Sequence, residues 1–371
     1  MSRVYSIIII IFVPIIFVVV AMVAEHNTNF RLQKQQLALN IDGNAKGSNS
    51  LMDLFAQLNV NPHKSKSPPP SQELLQTSRH SPIPIINIVI NKDELFDPKH
   101  GIITHTHKRG TAWERSAIIE LYNNGKRSFD SAIGLRIHGD SARTFCAEQA
   151  MCNFRILFKA KYGASIPTSN TLFVNQHTIG RLTSIILSNA HEEFIPYSTA
   201  FAVDMATSMG LVHPPMRRVK LHFNGTVQDE EYYLIEYPER DHWIDYFGHH
   251  AFEWYRNSSD LFGKEETTRY KLLKNRITSI APGKMQLTSL SSFIDVESML
   301  DLLVFNAYCG NSDWGQDIIL YDRRNPNAKW FWALWDIERC FYPKKPEQKK
   351  ALWQTPGFEL IFKGDHQIID K

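Results

Sequence analysis

Three acids in the last sixty residues have the type and spacing to do metal chemistry together: Asp313, Asp317 and Asp336. They lie in two apolar stretches, 311–321 and 329–336, around Asn325-Pro326-Asn327-Ala328, a turn sequence with Pro at its second position. With Pro326 and Asn327 at the centre of a hairpin, Asp317 falls opposite Asp336 to within a residue or two, their Cβ atoms roughly 5 Å apart. Asp313 lies just upstream and can approach the same end. Like charges set opposite one another are destabilising unless something neutralises them. A divalent cation does so, and Mg²⁺ typically takes one or two carboxylates together with substrate phosphates. On the residues alone, surface acids that cap strands and turns are an equally good reading.

The elements that must position these acids follow from pattern. Ile85–Ile90 reads as a buried strand, and Ala117–Tyr122 as a strand running into the turn Asn123-Asn124-Gly125-Lys126. Segments 134–139 and 153–158 alternate as strands with a loop between them. A helix is expected over Pro196–Met209, stopped by Gly210, and then strands over 218–223 and 232–236 around Asn224-Gly225. The clearest helix spans Val296–Tyr308, with Asp295 as N-cap and Gly310 as stop. Its apolar residues cover most faces, so it should be buried. Strands first and helices later give an α+β domain over 83–371, with a strand-rich lobe (83–240) and a helix-rich lobe (241–371) that carries the acidic hairpin.

Ahead of that domain, Ile7–Ala24 is uncharged for 18 residues, roughly 27 Å as helix and close to the hydrocarbon thickness of a bilayer. Residues 1–24 are therefore read as a transmembrane anchor, with a cleaved signal peptide ending near Ala21 or Ala24 as the rival. The short N-terminal tail favours a globular part outside the cytoplasm, periplasmic or on the cell surface. Residues 25–82, rich in Asn, Gln, Ser and Pro, form a polar tether reaching on the order of 40 Å.

Composition closes off other classes. With 371 residues, 43% hydrophobic, the chain can bury a substantial core. Forty-one Lys and Arg against 38 Asp and Glu give no basic excess for a nucleic-acid partner. Neither Gly-x₄-Gly-Lys-Ser/Thr nor Gly-x-Ser-x-Gly occurs, against P-loop NTPases and α/β-hydrolases. His105, His107, His249 and His250 lack zinc-ligand spacing. Cys146 and Cys152 can form a local disulfide outside the cytoplasm or stay as buried thiols, and Cys309 and Cys340 could likewise meet. Asn224-Gly225-Thr226 and Asn257-Ser258-Ser259 are glycosylation sequons.

Several ordered pieces over roughly residues 86–342 are familiar. Trp113-Glu114-Arg115, Gly134-Leu135-Arg136-Ile137-His138-Gly139-Asp140-Ser141-Ala142-Arg143, Asn224-Gly225 with Tyr233-Leu234-Ile235-Glu236, Asp313-Trp314 and Trp335-Asp336 recur in order. In these the chain resembles the spore-coat-protein-H-like (CotH) kinases, atypical protein kinases. The resemblance implies a two-lobed, divergent kinase-like fold and transfer of phosphate from ATP to Ser or Thr of a protein. It implies that Asp313 matches the catalytic-loop aspartate, which accepts the acceptor hydroxyl's proton. Asp336 would be the metal-holding aspartate and Asp317 a second ligand, where the family commonly has Asn, for Mg²⁺ or Mn²⁺. Arg136, Gly139, Ser141, Arg143 and Glu236 would belong to the nucleotide site.

One departure stands out: Ala150-Met151-Cys152 occupies the place where the family usually carries a Lys for the nucleotide phosphates. Arg143, Lys159 or Lys161 is a candidate substitute. Rival readings are a non-catalytic pseudokinase that helps assemble a coat, envelope or matrix, and an acid-pair glycan hydrolase.

Overall fold

Asn124 and Gly125 both take left-handed backbone (φ 49° and 75°), as a two-residue hairpin turn requires. They join β2 (Arg115–Asn123) to β3 (Lys126–Ile137) in the longest ladder of the protein. The computed structural model describes residues 69–341 except 150, 166, 174–179, 194, 227–229, 257–267, 280–286 and 312–317. The remaining strands are β1 (Ile85–Val89), β4 (Phe154–Leu157), β5 (Ser184–Ser188), β6 (Met216–Phe223), β7 (Glu231–Glu236), β8 (Phe252–Arg256), β9 (Ile318–Asp322) and β10 (Phe331–Ala333). The helices are α1 (Gln72–His80), α2 (Lys92–Phe96), α3 (Ser141–Gln149), α4 (Ser169–Leu172), α5 (Ser198–Ser208), α6 (Arg240–Phe247), α7 (Thr268–Ser279), α8 (Leu287–Leu290) and α9 (Val296–Tyr308).

Seven strands close into a barrel in the order β1-β2-β3-β4-β5-β7-β6. The closing seam is β1, antiparallel to β2 on one side and parallel to β6 on the other. Strands covered on both faces read as near-continuous apolar runs, and β1, β4 and β5 are buried at every position. A second sheet, β10-β9-β8, packs its own apolar cluster with Trp243 of α6. Leu334 N–H donates to Val212 O (2.7 Å), which ties the chain beyond β10 to the segment that follows α5.

The mixed helix-and-strand class matches the sequence reading, as do α5, α9 and the Asp295 cap, whose carboxylate accepts from Ser298 N–H. Other expectations change. The segment between β3 and β4, read as a loop, is helix α3; its sequence lacks a clear apolar stripe. Helix α1 lies within the stretch read as tether, because Leu74 packs with Ile85 and Tyr122. Helix α9 is not buried all round: Leu300, Val304 and Tyr308 leave one apolar face exposed. The hairpin register is shifted by two, with Phe331 opposite Leu320 and Ala333 opposite Ile318. The cause is Trp330, whose N–H donates to Phe293 O and whose carbonyl accepts from Asp295 N–H, so the strand is fixed by the start of α9 rather than by the turn. Strand β10 then ends at Ala333, and the ladder does not reach Asp336.

Cys146 and Cys152 form a disulfide, whereas Cys309 and Cys340 are buried thiols. The Asn224 amide is occupied, accepting from Ile90 N–H and donating to Ile90 O; a sequon whose nitrogen is so engaged is closed to a glycan in the folded chain. Asn257 lies outside the described residues, as do the proposed anchor (7–24) and most of the tether. No helix among the described residues is long and apolar enough to cross a membrane.

Candidate functional site

A cavity of about 670 Å³ opens at one end of the barrel. Its first wall comes from the end of β3 and the start of α3. Gly139 takes φ 79°, and a Cβ there would lie 3.0 Å from that of Ala142, so glycine lets the strand turn directly into the helix. Arg136, Gly139, Ser141 and Arg143 all line the cavity. Arg143 is largely spent on the wall itself: its guanidinium donates to the carbonyls of Thr106, Lys108 (2.9 Å) and Ile137 (2.6 Å).

The second wall is acidic and follows β10. Asp336 lines the cavity with φ 61°, left-handed backbone that Asp tolerates better than most residues. Glu338, two residues on, accepts from Ser188 Oγ. Burial pushes its carboxyl up to about 8, and the negative field of Asp336, Glu192 and Glu193 adds to the rise. The other two acids have fixed partners. Arg339 donates to both oxygens of Glu192 (2.8 and 3.0 Å), and Glu193 accepts from Thr199 N–H and Tyr233 OH.

No group of three or more His, Cys, Asp or Glu among the described residues is arranged to hold a metal. A Mg²⁺ ion asks for less, one or two carboxylates with water and phosphate completing its shell. Burial first, and neighbouring negative charge second, hold the proton on Glu338, and a cation beside Asp336 would relieve the second of these. Asp313 and Asp317 lie outside the described residues.

Three further sequence candidates sit elsewhere. Glu236 on β7 is not among the lining residues; its carboxylate lies 3.0 Å from His242 Nδ1. Lys159 and Lys161 both reach Glu114 (2.7 and 2.9 Å), which also accepts from Tyr162 OH and lies 3.6 Å from Arg136. These partners outweigh burial and hold the Glu114 carboxyl at about 2. Because that is below its ordinary 4.5, its contribution is complete above pH ~4.5 and lost as pH falls towards 2. Glu114→Gln should therefore flatten the acid limb of the stability profile. The expected loss at neutral pH is on the order of 1–2 kcal/mol, since the half-exposed lysines are screened by salt, and urea unfolding between pH 2 and 7 measures it.

The family model described as CotH kinase protein matches residues 135–363. The chain belongs to the CotH kinase family. No match to a curated protein accompanies it. Within a CotH frame, the residues that sequence reasoning passed over are Glu338 and Arg155. Arg155 lies on β4 directly opposite Arg136 and lines the same cavity. Its signal was its position in an alternating strand three residues beyond Cys152; Glu338 was signalled only by standing two residues after Asp336.

Proposed function

We propose that this CotH-family protein is a metal-dependent protein kinase, transferring the γ-phosphoryl of ATP to a Ser or Thr hydroxyl of an envelope or surface protein. The observation that carries the reading is one cavity lined both by the Arg136–Arg143 turn and by Asp336 with Glu338. Arginines and a Gly-containing turn suit the phosphates, and the acids suit the cation. Mg²⁺ or Mn²⁺ held by Asp336, with Asp317 as the second ligand implied by the family motif, would offset charge on the β- and γ-phosphates. Asp313 is assigned the acceptor hydroxyl, which it would orient and deprotonate.

In this proposal residues 7–24 anchor the chain in a membrane and the two-lobed domain lies outside the cytoplasm. The Cys146–Cys152 disulfide supports an oxidising compartment. A second reading, the pseudokinase, has one observation in its favour: Arg143, Lys159 and Lys161, the candidate substitutes for the family lysine, are engaged by protein groups.

Thermal unfolding with ATP and each metal tests the first reading. At about 100 times its dissociation constant a ligand should add roughly 2.7 kcal/mol. A shift that requires metal, together with transfer to protein hydroxyls, is expected. No shift with either metal would overturn the kinase proposal, and a shift without transfer would favour the pseudokinase.

A further inference from the structure

The ladder between β3 and β4 places Arg136 and Arg155 directly across from one another. Side chains so paired share a face with Cβ atoms roughly 5 Å apart, and like charges there repel. Burial lowers the proton affinity of the Arg136 guanidinium, and the neighbouring Arg155 charge lowers it further. The local acids do not cancel this charge. Glu114 is shared among Arg136, Lys159 and Lys161, and Glu239 is the carboxylate on Arg155, so four cations have two carboxylates between them. Arg155 is held in place by its 3.2 Å bond to Ser184 Oγ and by the Tyr237 ring, 3.9 Å from its guanidinium carbon. Its side chain is only 8% exposed, whereas that of its partner Glu239 is 37% exposed and so reaches solvent.

We propose that Arg155, paired with Arg136, is the polyphosphate-binding cation of this chain, taking the part of the lysine absent at Met151-Cys152, and that Glu239 occupies its fork until a phosphate displaces it. The inference rests on the nucleotide reading above but concerns anion binding alone. It separates Arg155 from the other three candidates, since the Arg143 fork is spent on backbone carbonyls and the two lysines on Glu114. Arginine at this place also changes the contact: a planar fork grips two oxygens of one phosphate, where an ammonium acts as a point charge.

The test uses the full-length chain and two probes, inorganic tripolyphosphate without metal and ATP with Mg²⁺, with affinity read by calorimetry. Arg155→Met should weaken both by about 10- to 100-fold, the value of a charge-assisted bond, and Arg155→Lys should recover part of the loss. Glu239→Gln should tighten both about 3-fold or more, as expected for a competitor removed, whereas a merely structural pair would lose affinity when either partner is changed. This opposite sign keeps the test informative even if Arg155→Met folds poorly. Wild-type affinity in Arg155→Met, or weakened binding in Glu239→Gln, overturns the proposal and leaves the kinase reading untouched. Arg155-dependent binding of tripolyphosphate without any binding of ATP would uphold the anion site and sink the nucleotide reading. A wild-type chain that binds neither probe overturns both.

Discussion

Asp336→Asn is expected to leave the fold intact while abolishing metal-dependent stabilisation by ATP and lowering phosphoryl transfer by about 10³-fold or more. Asn accepts left-handed backbone as readily as Asp, so the φ of 61° at this position is kept. What is lost is the charge that would hold a cation against the phosphates. The same substitution has a second, opposite consequence. Burial is the main reason that Glu338 is raised to about 8 from an ordinary 4.5, and the Asp336 charge adds to it. A carboxyl raised on folding contributes stability that is full below pH ~4.5 and lost as pH rises towards 8. Removing the Asp336 charge should soften that loss, so without metal the variant melts at or above the wild-type temperature at pH 8. An inactive variant that is equally stable or more stable marks a site held ready for a cation. If Asp336→Asn keeps ATP-induced stabilisation and transfer, the metal assignment is wrong.

Glu120→Ala should destabilise the protein more than any other single change considered, by about 3–5 kcal/mol. Glu120 sits on β2 at 1% exposure. Its carboxylate accepts from Asn87 Nδ2 (2.8 Å), Tyr122 OH (3.0 Å) and Arg127 (2.7 Å). Asn87 in turn accepts from Gly225 N–H, so this one acid ties β1 and β2 to the turn after β6, across the barrel's closing seam. Alanine strips the acceptor from two buried donors and leaves the Arg127 charge without its nearest counter-charge. Urea midpoints measure the loss. Glu120→Gln, which keeps the size and one acceptor, should cost much less, and adding Arg127→Ala to Glu120→Ala should cost less than the sum of the two. Strict additivity would mean the network carries no coupling.

Local signals carried much of this architecture in the sequence. Asn124-Gly125 states its turn, Asp295 its cap, and the β-branched runs their strands, because each depends on a few neighbouring residues. The barrel closure was not legible: β1 pairs in parallel with β6 across more than a hundred residues, and parallel pairing leaves no turn between the strands to announce it. The hairpin around Asn325–Ala328 was legible and its register came within two residues; the offset arose for a related reason, since the register was set by Trp330 bonding to 293–295. Within the site, Asp336 and the Gly139 turn were legible as motifs. Arg155 was not, because its meaning depends on Arg136 standing opposite, and only the ladder supplies that.

The seam between β1 and β6 has a practical consequence for handling the protein. The family match begins at Leu135, inside β3. A fragment cut at that boundary would lack β1, β2 and most of β3, and β6 would have no neighbour on one side. Two open strand edges would then face solvent in place of a continuous wall, each a template for strands of another molecule. Such a fragment should precipitate or form oligomers, whereas one starting ahead of Ser71 retains α1, the seam and the Glu120 network. The recognisable family segment is therefore shorter than the unit that closes the barrel.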